Sequence, residues 1–203
     1  MKTTNVLVLF VLVTLTLSSC KKTKKVEAKK ATKSYTIDSK ATTINWTAYK
    51  TTDKVPVKGE FKEITLNQEK AATPIEALNS VKFSIPVASI FTKDTIRDGK
   101  LKKFFFGKMI DTKNITGSFD LKGDNTGSLM LTMNGVTKEL PITYAIKDKL
   151  VTVEGTLDLN NWQAQAALSA LDIACKELHS GKDGIPKTWS EVKIEATTQL
   201  KSE

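Results

Sequence analysis

Cys175 and His179 stand four residues apart, a spacing that sets both side chains on one face of a helix. They are the nearest thing in the chain to a catalytic or metal-binding pair. His179 is the only histidine among 203 residues. Structural and catalytic zinc sites take three or four protein ligands, so two residues do not make one, and any histidine-dependent dyad would have to use this ring. Glu60 and Glu63 are close in sequence, but a separation of three puts them on opposite faces of a strand, which is a poor carboxylate pair. Neither a phosphate-cradling glycine loop nor a dinucleotide fingerprint occurs. No catalytic residue, metal ligand or cofactor is expected. A hydrolase or isomerase working with Asp and Glu alone would lack a pair at a productive spacing.

Chemistry of another kind is written at the N-terminus. Lys2 precedes an apolar run from Val6 to Leu17, broken only by Thr14 and Thr16. A bilayer-spanning helix needs about 20 apolar residues. This run is shorter, and suits the hydrophobic region of a signal peptide. Leu17-Ser18-Ser19-Cys20 follows directly and resembles the bacterial lipobox, in which two small residues precede a cysteine that is acylated and becomes the new N-terminus. Residues 1–19 are thus expected to be a signal peptide and Cys20 the lipidation site. Acyl chains gain about 0.8 kcal/mol per buried CH₂, so several of them anchor a protein lastingly. The expected location is a bacterial cell envelope, lipid-anchored to a membrane and facing the periplasm or the cell surface.

The net charge of +9 suggests nucleic acid until its location is considered. Seven lysines and one glutamate lie between Lys21 and Ser34, and everything from Tyr35 onward carries a net of only +2. The basicity belongs to a tether, residues 20–34 with the lipidated cysteine, and not to the domain of residues 35–203. Nucleic acid is therefore not an expected partner. The lysines would be drawn to anionic headgroups or would serve as a soluble spacer. With Cys20 committed to lipid, Cys175 is alone and reads as a buried small hydrophobe. A dimer is compatible with the sequence, which sets no oligomeric state.

Past the tether the dominant pattern is period-2 alternation, the mark of strands with one buried face. Ile44, Trp46 and Ala48 share a face, as do Val55, Val57, Gly59 and Phe61, with Ile64 and Leu66 continuing less cleanly. Further sets run through Val81–Val87, Ile115–Leu121, Leu129–Met133, Val136–Ile146, Val151–Leu159 and Val192–Leu200. With Tyr35–Asp38 added, about eight or nine strands result. Asn134-Gly135 is the strongest hairpin signal, and residues 122–127 and 147–149 supply other turns. Pro86 and Pro141 each remove a ladder donor, so an edge, bulge or strand separation is expected there. Ser89 to Gly107 reads as helix or ordered loop. Asn161 to Ser180 reads as a helix with Trp162, Ala166, Leu168, Leu171, Cys175 and Leu178 on its apolar face, capped by Asn160 or Asn161 and ended by Gly181. The expected fold class is all-β: an extended antiparallel up-and-down barrel of about eight strands with one or two inserted helices.

The alternating face is rich in large apolar groups. Trp46, Phe61, Phe83, Ile85, Phe119, Leu131, Met133 and Tyr144 would point inward, with Phe104 and Phe105 lining or plugging the mouth beside Phe106. An eight-stranded barrel is just wide enough to be filled by such side chains or to hold one small apolar ligand, and periodicity does not separate the two.

Several segments resemble the YceI-like domain. They are Tyr35-Thr36-Ile37-Asp38 with Ile44-Asn45-Trp46, then Val57-Lys58-Gly59-Glu60-Phe61, then Val87 to Ile90 with Ile96 to Leu101 and Phe104-Phe105, and finally Leu131 to Lys138. The family pattern often has histidine where Lys100 and Asn134 stand. The resemblance implies a lipocalin-like barrel with a hydrophobic lumen, in an exported protein without an established catalytic reaction. It also implies an apolar or amphiphilic lipid as partner, in some relatives a bound isoprenoid. On the matched motif, Arg97 either meets a polar headgroup or forms an ion pair with Asp94 or Asp98. The expected function is a lipid-anchored protein that holds or carries an isoprenoid- or quinone-like chain. The alternative is a non-catalytic envelope interaction protein with a filled barrel.

Overall fold

The computed structural model describes residues 33–203, so the expected signal peptide, Cys20 and nearly all of the lysine-rich tether lie outside the described residues. Ten strands form one antiparallel sheet: β1 (Tyr35–Lys50), β2 (Val55–Phe61), β3 (Thr65–Asn67), β4 (Lys82–Pro86), β5 (Ile90–Phe91), β6 (Asn114–Leu121), β7 (Thr126–Met133), β8 (Val136–Lys147), β9 (Leu150–Asp158) and β10 (Thr188–Ser202). Their order is β3-β4-β6-β7-β8-β9-β10-β1-β2-β5.

The two ends of that order meet. β2 runs on into β3, and β4 runs on into β5. Within this pair, β2 bonds β5 through Glu60↔Phe91 and Phe61↔Ile90, and β3 bonds β4 through Thr65↔Ser84 to Asn67↔Lys82. Lys62 N donates to Ser89 O at 3.0 Å across the break. Ten assigned strands therefore act as eight broken or unbroken staves, which reconciles the count with the expected eight-stranded barrel. Closure in this way leaves few unpaired edges.

Both prolines sit where pairing changes. Pro86 ends β4 and precedes the 3₁₀ turn Val87–Ser89 that separates it from β5. Pro141 stays paired with Ser128 of β7, but β8 pairs with β9 only from Ile142 onward. The indole Nε1 of Trp162 donates to Leu131 O at 2.9 Å. The Asn134-Gly135 hairpin has both residues at positive φ, 53° and 69°, as a two-residue mirror-image turn requires.

Three departures from the sequence reading have local causes. Tyr35–Asp38 is not a separate strand but the start of the sixteen-residue β1, which bulges between Asp38 and Thr43. A helix that the period-2 reading passes over, α1 (Pro74–Asn79), is set by Thr73: its hydroxyl accepts from Glu76 N while the Glu76 carboxylate accepts from Thr73 N. The expected helix at 161–180 is cut into a 3₁₀ turn (Leu159–Trp162), α3 (Gln165–Ala174) and α4 (Lys176–His179). Gln163, at φ 55°, turns the chain before α3, so the N-cap is Ala164 and neither asparagine serves. Its buried face is Ala164, Ala167, Leu168, Leu171 and Cys175, while Ala166 and Leu178 are exposed. α4 ends at His179 with Ser180, not Gly181, as its C-cap. The segment 89–107 holds β5, then α2 (Thr95–Lys100), a π turn (Leu101–Phe105) and a 3₁₀ turn (Phe106–Lys108).

Strand direction sorts these pieces by end. β1 finishes, and β2 and β10 begin, at the end covered by residues 92–113 and 159–187. β1 begins, and β10 finishes, at the end where α1 packs Ala77 and Leu78 into the core.

An apolar lumen as the candidate site

Along each stave the inward residues alternate with polar outward ones, so the barrel axis is surrounded by apolar side chains from every strand. Those of every strand except β8 line a cavity of about 210 Å³. Ile44, Ala48, Val57, Phe61, Phe119, Val192, Ile194 and Ala196 are inward yet only half-buried. All but Val57 line the cavity; they belong to the core by phase, but face open space inside it.

Of the residues singled out in the sequence, Trp46, Phe61, Phe83, Ile85, Phe105, Phe119, Leu131 and Met133 line this cavity. Two aromatics lie over glycines of the neighbouring strand: Trp46 over Gly59, and Phe83 over Gly117. Phe83 and Phe119 meet edge to face at 5.9 Å, and Phe61 meets Phe106 at 6.3 Å. Such contacts hold the rings as wall rather than as filling.

Three of the residues stand elsewhere. Arg97 is exposed on α2 and pairs with Asp94 at 3.5 Å, while Asp98 is buried and accepts from Thr92 N and Oγ1. Asp94 also caps α2, so this ion pair fastens a helix start. Phe104 is half-buried with the Lys103 ammonium over its ring, since three consecutive residues of a helical turn do not share one face. Phe106 takes the inward place, against Phe105 at 5.0 Å. Tyr144 is buried toward the α1 end, where its hydroxyl accepts from Gly123 N at 3.1 Å.

Other lining residues come from elements whose position only the fold sets. Leu78 and Val81 come from around α1, Leu101 from the π turn, and Leu168 and Leu171 from α3. The helical face of α3 was readable; the turn toward the lumen at Leu101 carried no periodic signal.

Polar chemistry is sparse at the lumen. Trp46 Nε1 is buried without a hydrogen-bond partner. At the α3 end, Thr188 lines the cavity and its hydroxyl donates to Asp172 Oδ1. His179 Nδ1 lies 2.7 Å from Thr188 Oγ1 and 3.2 Å from Asp172 Oδ1. Burial pushes the imidazole below its ordinary range, and the adjacent Asp172 only partly offsets that. Cys175 is buried and does not share this cluster. Asn134, at one of the family's histidine positions, is a structural tie: Oδ1 accepts from Ile110 N at 2.7 Å, and Nδ2 donates to Trp162 O and Gln163 O. Among the described residues no group of three or more His, Cys, Asp or Glu is arranged to hold a metal, and no helix is long and apolar enough to cross a membrane.

Comparison with known proteins gives a consistent picture. A family model described as the YceI-like domain matches residues 35–200. A polyisoprenoid binding domain from Saccharophagus degradans, implicated in plant cell wall breakdown, superposes with a TM-score of 0.58 at 14% identity, covering 83% of this chain and 98% of its own. BcnA of Burkholderia cenocepacia superposes with a TM-score of 0.54 at 17% identity, covering 81% of this chain and 99% of its own. Among curated proteins none matches.

Proposed function

The chain belongs to the YceI-like domain family, and from that premise we propose that it is an exported, lipid-anchored binding protein that holds an isoprenoid- or quinone-like chain in its lumen. The observation that carries this reading is the wall of inward apolar side chains left half-buried around about 210 Å³ of space. That volume is below the roughly 300–1,000 Å³ common for ligand pockets, so a slender chain suits it better than a fused ring system. Burying such a chain gains about 25 cal/mol per Å² of apolar surface, and little polar recognition is needed. The ligand class named for the Saccharophagus degradans domain has this shape and chemistry. Binding, which such an apolar lining supports, is the activity we assign.

Lipid anchoring at Cys20 and location in the envelope rest on the lipobox-like Leu17-Ser18-Ser19-Cys20 and the preceding apolar run. Native mass spectrometry of the chain purified without detergent, followed by organic extraction, tests the binding. A stoichiometric added mass that extracts as a lipid supports it; a clean apo mass with no uptake of added isoprenoids overturns it. Incorporation of labelled fatty acid by the wild type and not by Cys20→Ser tests the anchor.

A further inference from the structure

The exposed aliphatic side chains are unevenly placed. Ile173, Leu178 and Ile185 are 77%, 59% and 54% exposed, and all three belong to the segment that covers the α3 end. That segment is fixed, not loose. Ser180 and Pro186 form an antiparallel bridge, and Lys187 N donates to His179 O at 3.1 Å. Thr52 Oγ1 donates to Asp183 Oδ2 at 2.6 Å, and Lys50 Nζ donates to Leu178 O at 3.0 Å. Leu178 on α4 and Ile185 in the loop that follows are thus presented outward by a braced segment beside the β1–β2 turn, and Ile173 by α3. Ile96, 73% exposed, adds a fourth on α2 one helical turn from Lys100.

Charge is uneven in the same direction. Residues 93–108, which cover this end of the lumen, hold five lysines and Arg97 against Asp94 and Asp98. Lys176, Lys182 and Lys187 are exposed in the same segment as the aliphatic tips and are balanced there by Asp172, Glu177 and Asp183, so the excess of positive charge at this end comes from residues 93–108. The positive charges of Lys50 and Lys100 both bear on His179, which ties α2, β1 and α4 to one locality. At the other end residues 63–79 hold three glutamates and one lysine, and the turns at 122–126 and 147–150 hold three lysines and two aspartates. The domain as a whole is nearly neutral, so this is a separation of charge and not a general basicity.

We propose that the α3 end of the barrel docks on a bilayer rich in anionic headgroups, with Ile173, Leu178 and Ile185 entering the interface and the surrounding lysines meeting the phosphates. This inference rests on the lumen being a lipid site, because an apolar chain exchanges with a membrane and not with water. Leu101, Phe105, Leu168 and Leu171 line the lumen directly behind the docking surface. Separate aliphatic tips among lysines fit a headgroup layer. A protein interface would favour aromatic residues and exclude lysine from its centre.

Amide hydrogen exchange of the full chain, with and without vesicles of phosphatidylglycerol and phosphatidylethanolamine, locates the contact independently of any N-terminal anchor. Slowed exchange across residues 173–185, with α1 and the 122–126 turn unchanged, is expected. It should disappear on pure phosphatidylcholine and in an Ile173→Ser, Leu178→Ser, Ile185→Ser variant that unfolds at the wild-type midpoint. Unchanged exchange at 173–185, equal protection at both ends, or protection that survives the triple substitution overturns docking. So does protection that needs envelope proteins in place of vesicles. Extraction of the same sample separates the two readings. Extractable lipid with an unprotected 173–185 removes docking alone, whereas protection in a lipid-free protein that takes up no isoprenoid keeps docking and removes the cargo.

Discussion

The indole of Trp46 lies so closely across Gly59, its register partner on β2, that a methyl group built on the glycine would sit 2.2 Å from the ring carbon Cζ2. The glycine is therefore part of the ring's seat, and its missing side chain is what lets Trp46 lie flat against the wall. Phe83 and Gly117 repeat the arrangement two staves further round, where a methyl group would sit 2.6 Å from Phe83 Cζ and 2.5 Å from the Met130 carbonyl oxygen. A larger residue at either glycine would push an aromatic ring into the lumen.

Gly59→Ala is expected to destabilise the domain by roughly 1–3 kcal/mol, as overpacking does when a ring must leave its rotamer. The displaced indole would also occupy ligand space. Urea unfolding reads the first effect and extracted lipid per protein the second. An unchanged midpoint with unchanged lipid would show that Trp46 does not need the glycine.

Filling the lumen from the other side separates binding from folding. Ala196 lines the cavity and is only half-buried, so Ala196→Phe adds a ring into existing space. Retained lipid should fall several-fold while the far-ultraviolet circular dichroism spectrum stays that of the wild type. Wild-type lipid in a folded Ala196→Phe protein would mean that the ligand sits elsewhere.

The barrel was legible because its staves bury one face and expose the other, and that alternation survives in single residues such as Val151, Val153 and Leu157. Seven of the eleven proposed site residues line the cavity for the same reason, and Phe105 lines it from the π turn. Arg97, Phe104 and Tyr144 do not, because period-2 phase says which face a residue takes but not its height along the barrel or its place in a turn. Tyr144 has the inward phase, but no residue of β8 lines the cavity, and its hydroxyl is tied to Gly123 N. The breaks between β2 and β3 and between β4 and β5 come from pairing partners distant in sequence, with no local mark except Pro86. α1 did carry a local signal, Thr73-Pro74 with Glu76 completing the cap, outweighed in a sequence dominated by strand alternation.

Asn134 is the polar tie of the α3 end. Asn134→Ala would leave Ile110 N and the carbonyls of Trp162 and Gln163 without their partner and put alanine at φ 53°. A loss of about 2–3 kcal/mol is expected from buried groups left unsatisfied. Chemical denaturation measures it, and a change below about 0.5 kcal/mol, the size of an ordinary surface substitution, would mean that water replaces the amide without cost.

His179 makes the α3 end sensitive to acid. Its neighbours are Asp172 and Thr188 in direct contact, with the positive charges of Lys50 and Lys100 nearby. Burial, the largest cause, lowers its proton affinity in the folded state below the ordinary value of 6.5, and the two lysines act in the same direction against Asp172. Below pH 6.5 the unfolded chain therefore binds this proton more readily than the folded one. The stability linked to neutral His179 is fully present above pH 6.5 and is lost progressively as the pH falls from there through the lowered folded value. Thermal unfolding followed from pH 7.5 to pH 5 should show that decline, and His179→Gln should flatten it in the upper part of the range, above the pH at which carboxylates begin to protonate. A decline of equal slope in both proteins would assign the acid sensitivity to the carboxylates and not to this ring.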